Sequence, residues 1–163
     1  MLRLSAALLS LLFLATCVRA PEFPSEPVIT FESLSKTEIF QFTNGPVDSL
    51  TIQFSFTDGD GDISSASGDS VNVFLTDSRL GLETPLSLPA IPPEGTGNGI
   101  SGDIFVNLIN TSGVCCIFNR RICAEDPSFP RDTFSYAIQI VDRAGNRSNV
   151  IRTPVIEILC LGE

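Results

Sequence analysis

Apolar and polar residues alternate in short runs along most of this chain. The clearest run covers residues 50–56, where every second residue is apolar. Successive side chains of a strand point to opposite faces, so this period of two predicts a strand with one buried face. Pro154 lies inside the last run and predicts a sheet edge or a bulge, because proline cannot donate a ladder hydrogen bond. Similar runs predict strands at residues 28–34, 71–76, 104–108, 134–140 and 150–160.

Turn residues separate these runs, and no long segment has the helical period. The pattern therefore predicts an all-β fold over residues 28–163, an antiparallel immunoglobulin-like or fibronectin-like sandwich of about seven strands. Residues 78–102 and 109–132 are too long for simple turns, and loops of that length are often functional. For residues 78–102 two interpretations stay open: a strand pair with a crossing loop, or a protruding binding surface.

The N-terminus has the composition of a targeting signal. Met1 and Arg3 precede an apolar stretch, residues 4–15, and Thr16 and Cys17 follow it. A charged start, an apolar stretch of about twelve residues and small residues before the break are typical of a secretory signal. The stretch is too short to span a bilayer, which takes about 20 residues. With its cysteine, the segment resembles a bacterial lipoprotein signal, which implies removal of residues 1–16 and acyl chains such as palmitate on Cys17.

Two alternatives to lipidation remain, because Thr16 departs from the Gly or Ala that lipoprotein signals prefer. Cleavage after Ala20 would give a soluble secreted protein, although Pro21 is disfavoured at that position. In the other alternative the segment stays attached as an N-terminal helix. Residues 18–27 contain three prolines, which favour an extended chain of about 3.1 Å per residue. We therefore predict that residues 17–27 tether the domain to its anchor.

The charge balance and the absent residue types exclude several functions. Nineteen Asp and Glu stand against ten Lys and Arg, so the formal net charge is −9 and nucleic acid is not an expected partner. The sequence has no histidine, which excludes imidazole catalysis and histidine metal sites. Without histidine, a serine nucleophile would need a lysine as its general base, and Lys36 is the only lysine. We predict a non-catalytic protein, and hydrolysis by carboxylates such as Asp58 and Asp60 is the less favoured alternative.

Four cysteines remain if Cys17 carries lipid. An even number in an oxidising compartment predicts two disulfides, and the spacing does not match a zinc site. Neighbouring cysteines are not expected to pair with each other, because the bridge would be strained. One cysteine of the adjacent pair is expected to bond to Cys123 and the other to Cys160. The sequence leaves open which cysteine bonds to which. The four are Cys115, Cys116, Cys123 and Cys160.

Asp58, Asp60 and Asp62 alternate with glycines directly after the predicted strand 50–56. Three like charges this close repel one another unless a cation lies between them, and carboxylate oxygens suit Ca²⁺. The order is similar to that of an EF-hand loop with Asp69 at its twelfth position, but Ile63 replaces the required glycine. We therefore predict a calcium site of another kind. The alternative is a solvated acidic turn.

A second turn signal runs from Asp142 to Asn146 and resembles the turn between the last two strands of many bacterial immunoglobulin-like domains. Gly145 permits a positive φ, and Asp142 is expected to cap the turn through the backbone. Loops at one end of a sandwich lie side by side. Asp142 is therefore also a candidate ligand of the predicted calcium site.

Several segments together resemble a group of small Bacteroidetes-type envelope lipoproteins. They are the lipoprotein signal, the Pro-rich tether, residues 54–63, 73–79, 97–102 and 142–149, and the adjacent cysteines. The resemblance implies an outer-membrane location and a β-sandwich, and it leaves the partner open as an envelope protein or a glycan. We expect a membrane-anchored binding or structural module. The alternative is a secreted or surface adhesin or inhibitor that presents residues 78–102.

Overall fold

A computed structural model describes residues 22–41, 47–64, 68, 70–91, 99–112 and 114–160. The protein is all-β, with a short 3₁₀ turn at Asn110–Ser112. The described residues form twelve strands: β1 (Val28–Leu34), β2 (Glu38–Phe40), β3 (Ser49–Asp58), β4 (Val71–Asp77), β5 (Glu83–Ser87), β6 (Ile100–Ile109), β7 (Ile117–Phe118), β8 (Arg121–Ile122), β9 (Arg131–Phe134), β10 (Tyr136–Ile140), β11 (Ile151–Arg152) and β12 (Ile156–Leu159).

Two antiparallel sheets carry most of these strands. In the first sheet, β3 lies between β1 and β6. In the second sheet the order is β11-β10-β4-β5. A smaller third sheet places β12 between β2, to which it is parallel, and β9, to which it is antiparallel. β7 and β8 form a separate hairpin.

The alternation of β3 explains how the first sheet contributes to the core. Its apolar residues, such as Ile52 and Phe54, are buried, and the polar residues between them are partly exposed. Leu75 of β4, Ile138 of β10 and Ile158 of β12 belong to the same hydrophobic cluster. Strands of all three sheets therefore share one core.

The all-β prediction is confirmed, and each predicted strand region contains a strand. The twelve strands of the described residues exceed the predicted seven, because strands of two or three residues such as β2, β7 and β8 are too short to show a period. Ser135 separates β9 from β10, which lie in different sheets. Pro154 similarly lies between β11 and β12, where the chain changes sheets. Of residues 78–102, the described part contains β5, which pairs with β4, and residues 92–98 lie outside the described residues.

Both predicted disulfides are present. Cys115 pairs with Cys123 around the β7–β8 hairpin, with 4.8 Å between their Cα atoms. Cys116 pairs with Cys160, at the end of β12, with 5.6 Å between their Cα atoms. Stable disulfides are typical of oxidising compartments, so the pairs indicate a secreted or envelope protein. Among the residues described, helices of membrane-spanning length and hydrophobicity are absent.

Candidate cation site

The acidic motif lies where β3 ends, at one end of the first sheet. Every second side chain of β3 points into the core, and Asp58 takes the next inward position after Phe56. Asp58 is therefore fully buried. The chain then turns through Gly61, whose φ of 72° is uncommon for other residues. The register of β3 thus places a carboxylate inside the end of the core.

Asp142 reaches the same place from the second sheet, two residues after the end of β10. The N–H of Arg143 donates to the carbonyl oxygen of Asp62 at 3.1 Å and joins the two loops. One carboxylate oxygen from each of Asp58, Asp60, Asp62 and Asp142 lies within 4.8 Å of the others. We call these four residues the acidic cluster. It contains four of the five residues predicted as calcium ligands.

Hydrogen bonds satisfy some oxygens of the acidic cluster and leave others without a donor. Asp58 Oδ2 accepts from the N–H of Asp62 at 2.8 Å. Asp58 Oδ1 and Asp62 Oδ1 are buried, and no described residue donates to them. A buried ionised oxygen without a donor costs free energy unless a cation or a solvent molecule compensates it. This arrangement favours a positively charged partner at the acidic cluster.

The pKa values of the cluster reflect its burial and the mutual repulsion of its carboxylates. Burial, together with the charge of Asp60, raises the pKa of Asp58 to about 7 from its ordinary value of 3.8. Burial and the charge of Asp142 also raise the pKa of Asp62. The ionised forms are thus disfavoured when no cation is bound. A divalent cation would reverse both shifts, because it stabilises the ionised carboxylates.

Asp142 also organises its own turn. Its Oδ1 accepts from the backbone N–H of Asn146 at 2.7 Å, and its Oδ2 accepts from the Asn146 side-chain amide at 2.8 Å. Gly145 in this turn has a φ of 91°. The predicted cap and the predicted positive φ are both confirmed. The two hydrogen bonds fix the orientation of the Asp142 carboxylate, so it does not have to be ordered when a cation binds.

The donor set is chemically that of a hard cation. Ca²⁺ takes about six to eight oxygen ligands in a flexible arrangement, and the acidic cluster offers four carboxylates. Asp58 and Asp142 are buried, Asp62 is half-buried, and Asp60 is exposed. The cluster is therefore closed on the core side and open to solvent at Asp60. Water is available there to complete a coordination shell.

Two of the predicted functional residues, Asp69 and Cys17, lie outside the described residues. Sequence reasoning missed the contact between the cluster and the N-terminal segment, in which Gly59 N–H donates to the Pro24 carbonyl oxygen at 2.8 Å. A glycine beside two aspartates predicts a turn in the sequence. Only the fold shows that Gly59 also allows another part of the backbone to come close.

Comparisons of this chain with known protein families, with curated proteins and with solved structures gave no match.

Proposed function

We propose that this protein is a lipid-anchored envelope protein, a non-catalytic binding or structural β-sandwich stabilised by Ca²⁺ at the acidic cluster. The observation that carries the proposal is the environment of Asp58 Oδ1. This oxygen belongs to a fully buried residue, receives no hydrogen bond from the described residues, and lies among three other carboxylates. A bound divalent cation satisfies all of these groups at once.

The strand orders support the sandwich. The first sheet has three strands and the second has four, and we propose that these two antiparallel sheets are the layers of the sandwich. The core cluster includes residues of both sheets, for example Phe54 and Ile138. The acidic cluster joins the end of β3 in the first sheet to the turn after β10 in the second. A cation there would fasten the two sheets together at one end.

The composition of the cluster supports a non-catalytic role. A carboxylate pair that hydrolyses glycosides divides its work between an acid and a base in separate environments. Here the four carboxylates share one cage, and the sequence has no histidine to supply another base. Binding a cation is the chemistry that this arrangement favours.

The anchor is proposed on the sequence around Cys17, which resembles the signal of small Bacteroidetes-type envelope lipoproteins. The two disulfides support a location outside the cytoplasm. Two or three acyl chains would hold the protein on a membrane firmly, since each buried methylene contributes about 0.8 kcal/mol. The partner that such a module would contact is an envelope protein or a glycan.

Thermal unfolding with Ca²⁺ and with chelator tests the cation site. We expect Ca²⁺ to raise the melting temperature by several degrees, since saturation at 100 times Kd adds about 2.7 kcal/mol. Asp60→Asn removes one negative charge from the ligand set and should abolish most of the shift, because Ca²⁺ affinity depends on the number of charged ligands. Asp103→Asn is the matched control, because Asp103 is an exposed carboxylate of β6 outside the cluster. The absence of a shift in the wild type, or an equal shift in Asp60→Asn, would contradict the site.

Mass spectrometry of the protein purified from cell envelopes tests the anchor. We expect a mature chain that begins at Cys17 and carries the added mass of acyl chains. Cys17→Ser should move the protein from the membrane fraction to the soluble fraction. A mature chain that begins at Pro21 without added mass would support soluble secretion instead and remove the anchor from the proposal.

A further inference from the structure

The segment before β1, residues 22–27, lies directly on the loop of the acidic cluster. Gly59, between the ligands Asp58 and Asp60, donates its N–H to the Pro24 carbonyl oxygen at 2.8 Å. The approach is so close that a Cβ on Gly59 would lie 2.3 Å from the Phe23 carbonyl oxygen and 2.6 Å from that of Pro24. Only glycine fits this position, because real Cβ atoms do not approach within 3.0 Å.

The Phe23 side chain closes the contact from another direction. It is half-buried, and its Cδ2 lies 2.7 Å from the position that a Cβ on Gly99 would occupy. Gly99 in turn lies next to the backbone of Asp58 and Gly59. A second glycine thus leaves room for the ring of Phe23 beside the cation-binding loop.

The start of β1 is also bound to the chain that follows the Asp142 turn. Asn149 Oδ1 accepts from the N–H of Ile29 at 2.8 Å, and Asn149 Nδ2 donates to the Ile29 carbonyl oxygen at 2.8 Å. Residues 22–29 therefore contact the loop that carries Asp58, Asp60 and Asp62 and also the chain that follows the Asp142 turn. Their position depends on how those segments sit relative to each other.

We infer that cation binding at the acidic cluster fixes the N-terminal segment, residues 22–27, against the domain, and that loss of the cation releases it. This inference rests on the proposed function. The peptide of Gly59 lies between two ligands, so a cation that holds Asp58 and Asp60 also fixes the direction of the Gly59 N–H. Without a cation the carboxylates repel one another, the loop opens, and the hydrogen bond to Pro24 is lost.

The coupling works in both directions by thermodynamic necessity. A cation that favours the docked segment is bound more tightly when the segment is docked. In a chain anchored upstream of residue 22, release of six residues would add about 20 Å of reach at roughly 3.1–3.6 Å per residue. The cation would thereby set the distance and the orientation of the domain relative to its anchor.

Two measurements on the whole protein test this inference. The first is amide hydrogen exchange at Gly59 and at residues 22–27, with Ca²⁺ and with chelator. The second is calorimetric titration of Ca²⁺ into Phe23→Ala, which removes the ring and keeps the glycines and all four carboxylates. Phe105→Ala is the matched control, because Phe105 is 63 % exposed and lies in the middle of β6.

We expect Ca²⁺ to slow exchange at Gly59 about tenfold or more, since that amide donates to the docked segment. We expect Phe23→Ala to weaken Ca²⁺ binding about fivefold, whereas Phe105→Ala binds as the wild type does. If Ca²⁺ binds the wild type but leaves exchange at Gly59 unchanged, or if Phe23→Ala binds it equally well, the coupling is wrong and the cation site stands. If the wild type does not bind Ca²⁺, both the site and the coupling are wrong.

Discussion

Arg79 donates from Nη1 to Oδ2 of Asp132 at 2.6 Å and so connects the second sheet with the third. Nη2 of the same guanidinium lies 2.6 Å from Asp77 Oδ2, and Nη1 also donates to the Cys115 carbonyl oxygen at 2.9 Å. The guanidinium carbon lies 4.4 Å from the ring centre of Phe134. One arginine therefore holds β4, β9 and the disulfide-bonded loop together.

Arg79→Met should lower the free energy of unfolding by about 2–4 kcal/mol. The Arg79 side chain is only 12 % exposed. Removing one partner of a largely buried ion pair leaves the opposite charges without compensation. Arg131→Met is the control, because Arg131 is 58 % exposed and its bond to Glu157 lies at the surface. That change should cost much less than Arg79→Met, because an exposed ion pair contributes little to stability. Equal losses in urea unfolding would show that the Arg79 network contributes no more than a surface pair.

The two disulfides should differ in how much they stabilise the fold. They close loops of 44 and 8 residues. Chain-entropy arguments then give about 4 kcal/mol for the long loop and about 2.5 kcal/mol for the short one. Replacing Cys116 and Cys160 by alanine should therefore destabilise the protein more than replacing Cys115 and Cys123. Denaturant unfolding of the two double variants measures the difference, and a reversed order would contradict the assignment of loop entropy.

Asp58→Asn should raise the melting temperature when no metal is bound and lower it when Ca²⁺ is bound. The amide keeps an oxygen to accept the N–H of Asp62, but it carries no charge. Since the pKa of Asp58 is raised to about 7, its stabilising contribution is complete below pH 3.8 and is lost as the pH rises through about 7. In chelator at pH 8 the variant should therefore melt several degrees above the wild type. With saturating Ca²⁺ it should melt below the wild type. The same order of melting temperatures in both conditions would contradict a cation at Asp58.

Tyr136 should ionise only in strongly alkaline solution. Burial, helped by the charge of Asp77, raises the pKa of Tyr136 to about 12, whereas an exposed phenol titrates near about 10. Stability from the protonated phenol is complete below about pH 10 and is lost as the pH rises through about 12. The sequence has one tyrosine and no tryptophan, so tyrosinate absorbance after rapid pH jumps reports this group alone. Ionisation near pH 10 in the folded protein would mean that the phenol reaches solvent.

Arg120→Gly should stabilise the β7–β8 hairpin. Asn119 and Arg120 form its turn with φ values of 52° and 63°, a pair typical of a type I′ turn, which prefers Asn-Gly. Relief of the left-handed conformation at a non-glycine residue should add roughly 1 kcal/mol. Arg121→Gly, in the neighbouring strand, should instead cost about 0.5–1 kcal/mol. Thermal unfolding of both variants separates the turn effect from a general effect of losing an arginine.

Local patterns predict the parts of this fold that depend on local rules. The period of two predicts β3 because one face of that strand is buried along its whole length. It does not predict the break at Ser135, since β9 and β10 have the same period and only their tertiary partners differ. The cysteine pairing stayed open for a similar reason. Adjacent residues point to opposite faces, and the sequence does not show which face meets β12.

The candidate site also contains parts that the sequence predicts and parts that it does not. The alternation of Asp58, Asp60 and Asp62 is a local signal, and the rule that neighbouring loops share an end of a sandwich brought Asp142 to them. The contacts of residues 22–29 have no local signal. Asn149 and Ile29 are separated by 120 positions, and neither residue type predicts the other. Such pairs depend on the way the sheets close, so they emerge only with the fold.

The bridge between Cys116 and Cys160 also determines how the molecule would respond to mechanical tension. A pull applied beyond Cys160 passes through the sulfur atoms to Cys116, which lies 44 positions earlier in the chain, and bypasses the residues between them. β7 to β12 all lie within that interval, so none of them lengthens under load. At roughly 3.3–3.6 Å per residue, the disulfide prevents about 150 Å of extension under load. Such a pull can therefore extend only the strands that precede Cys116.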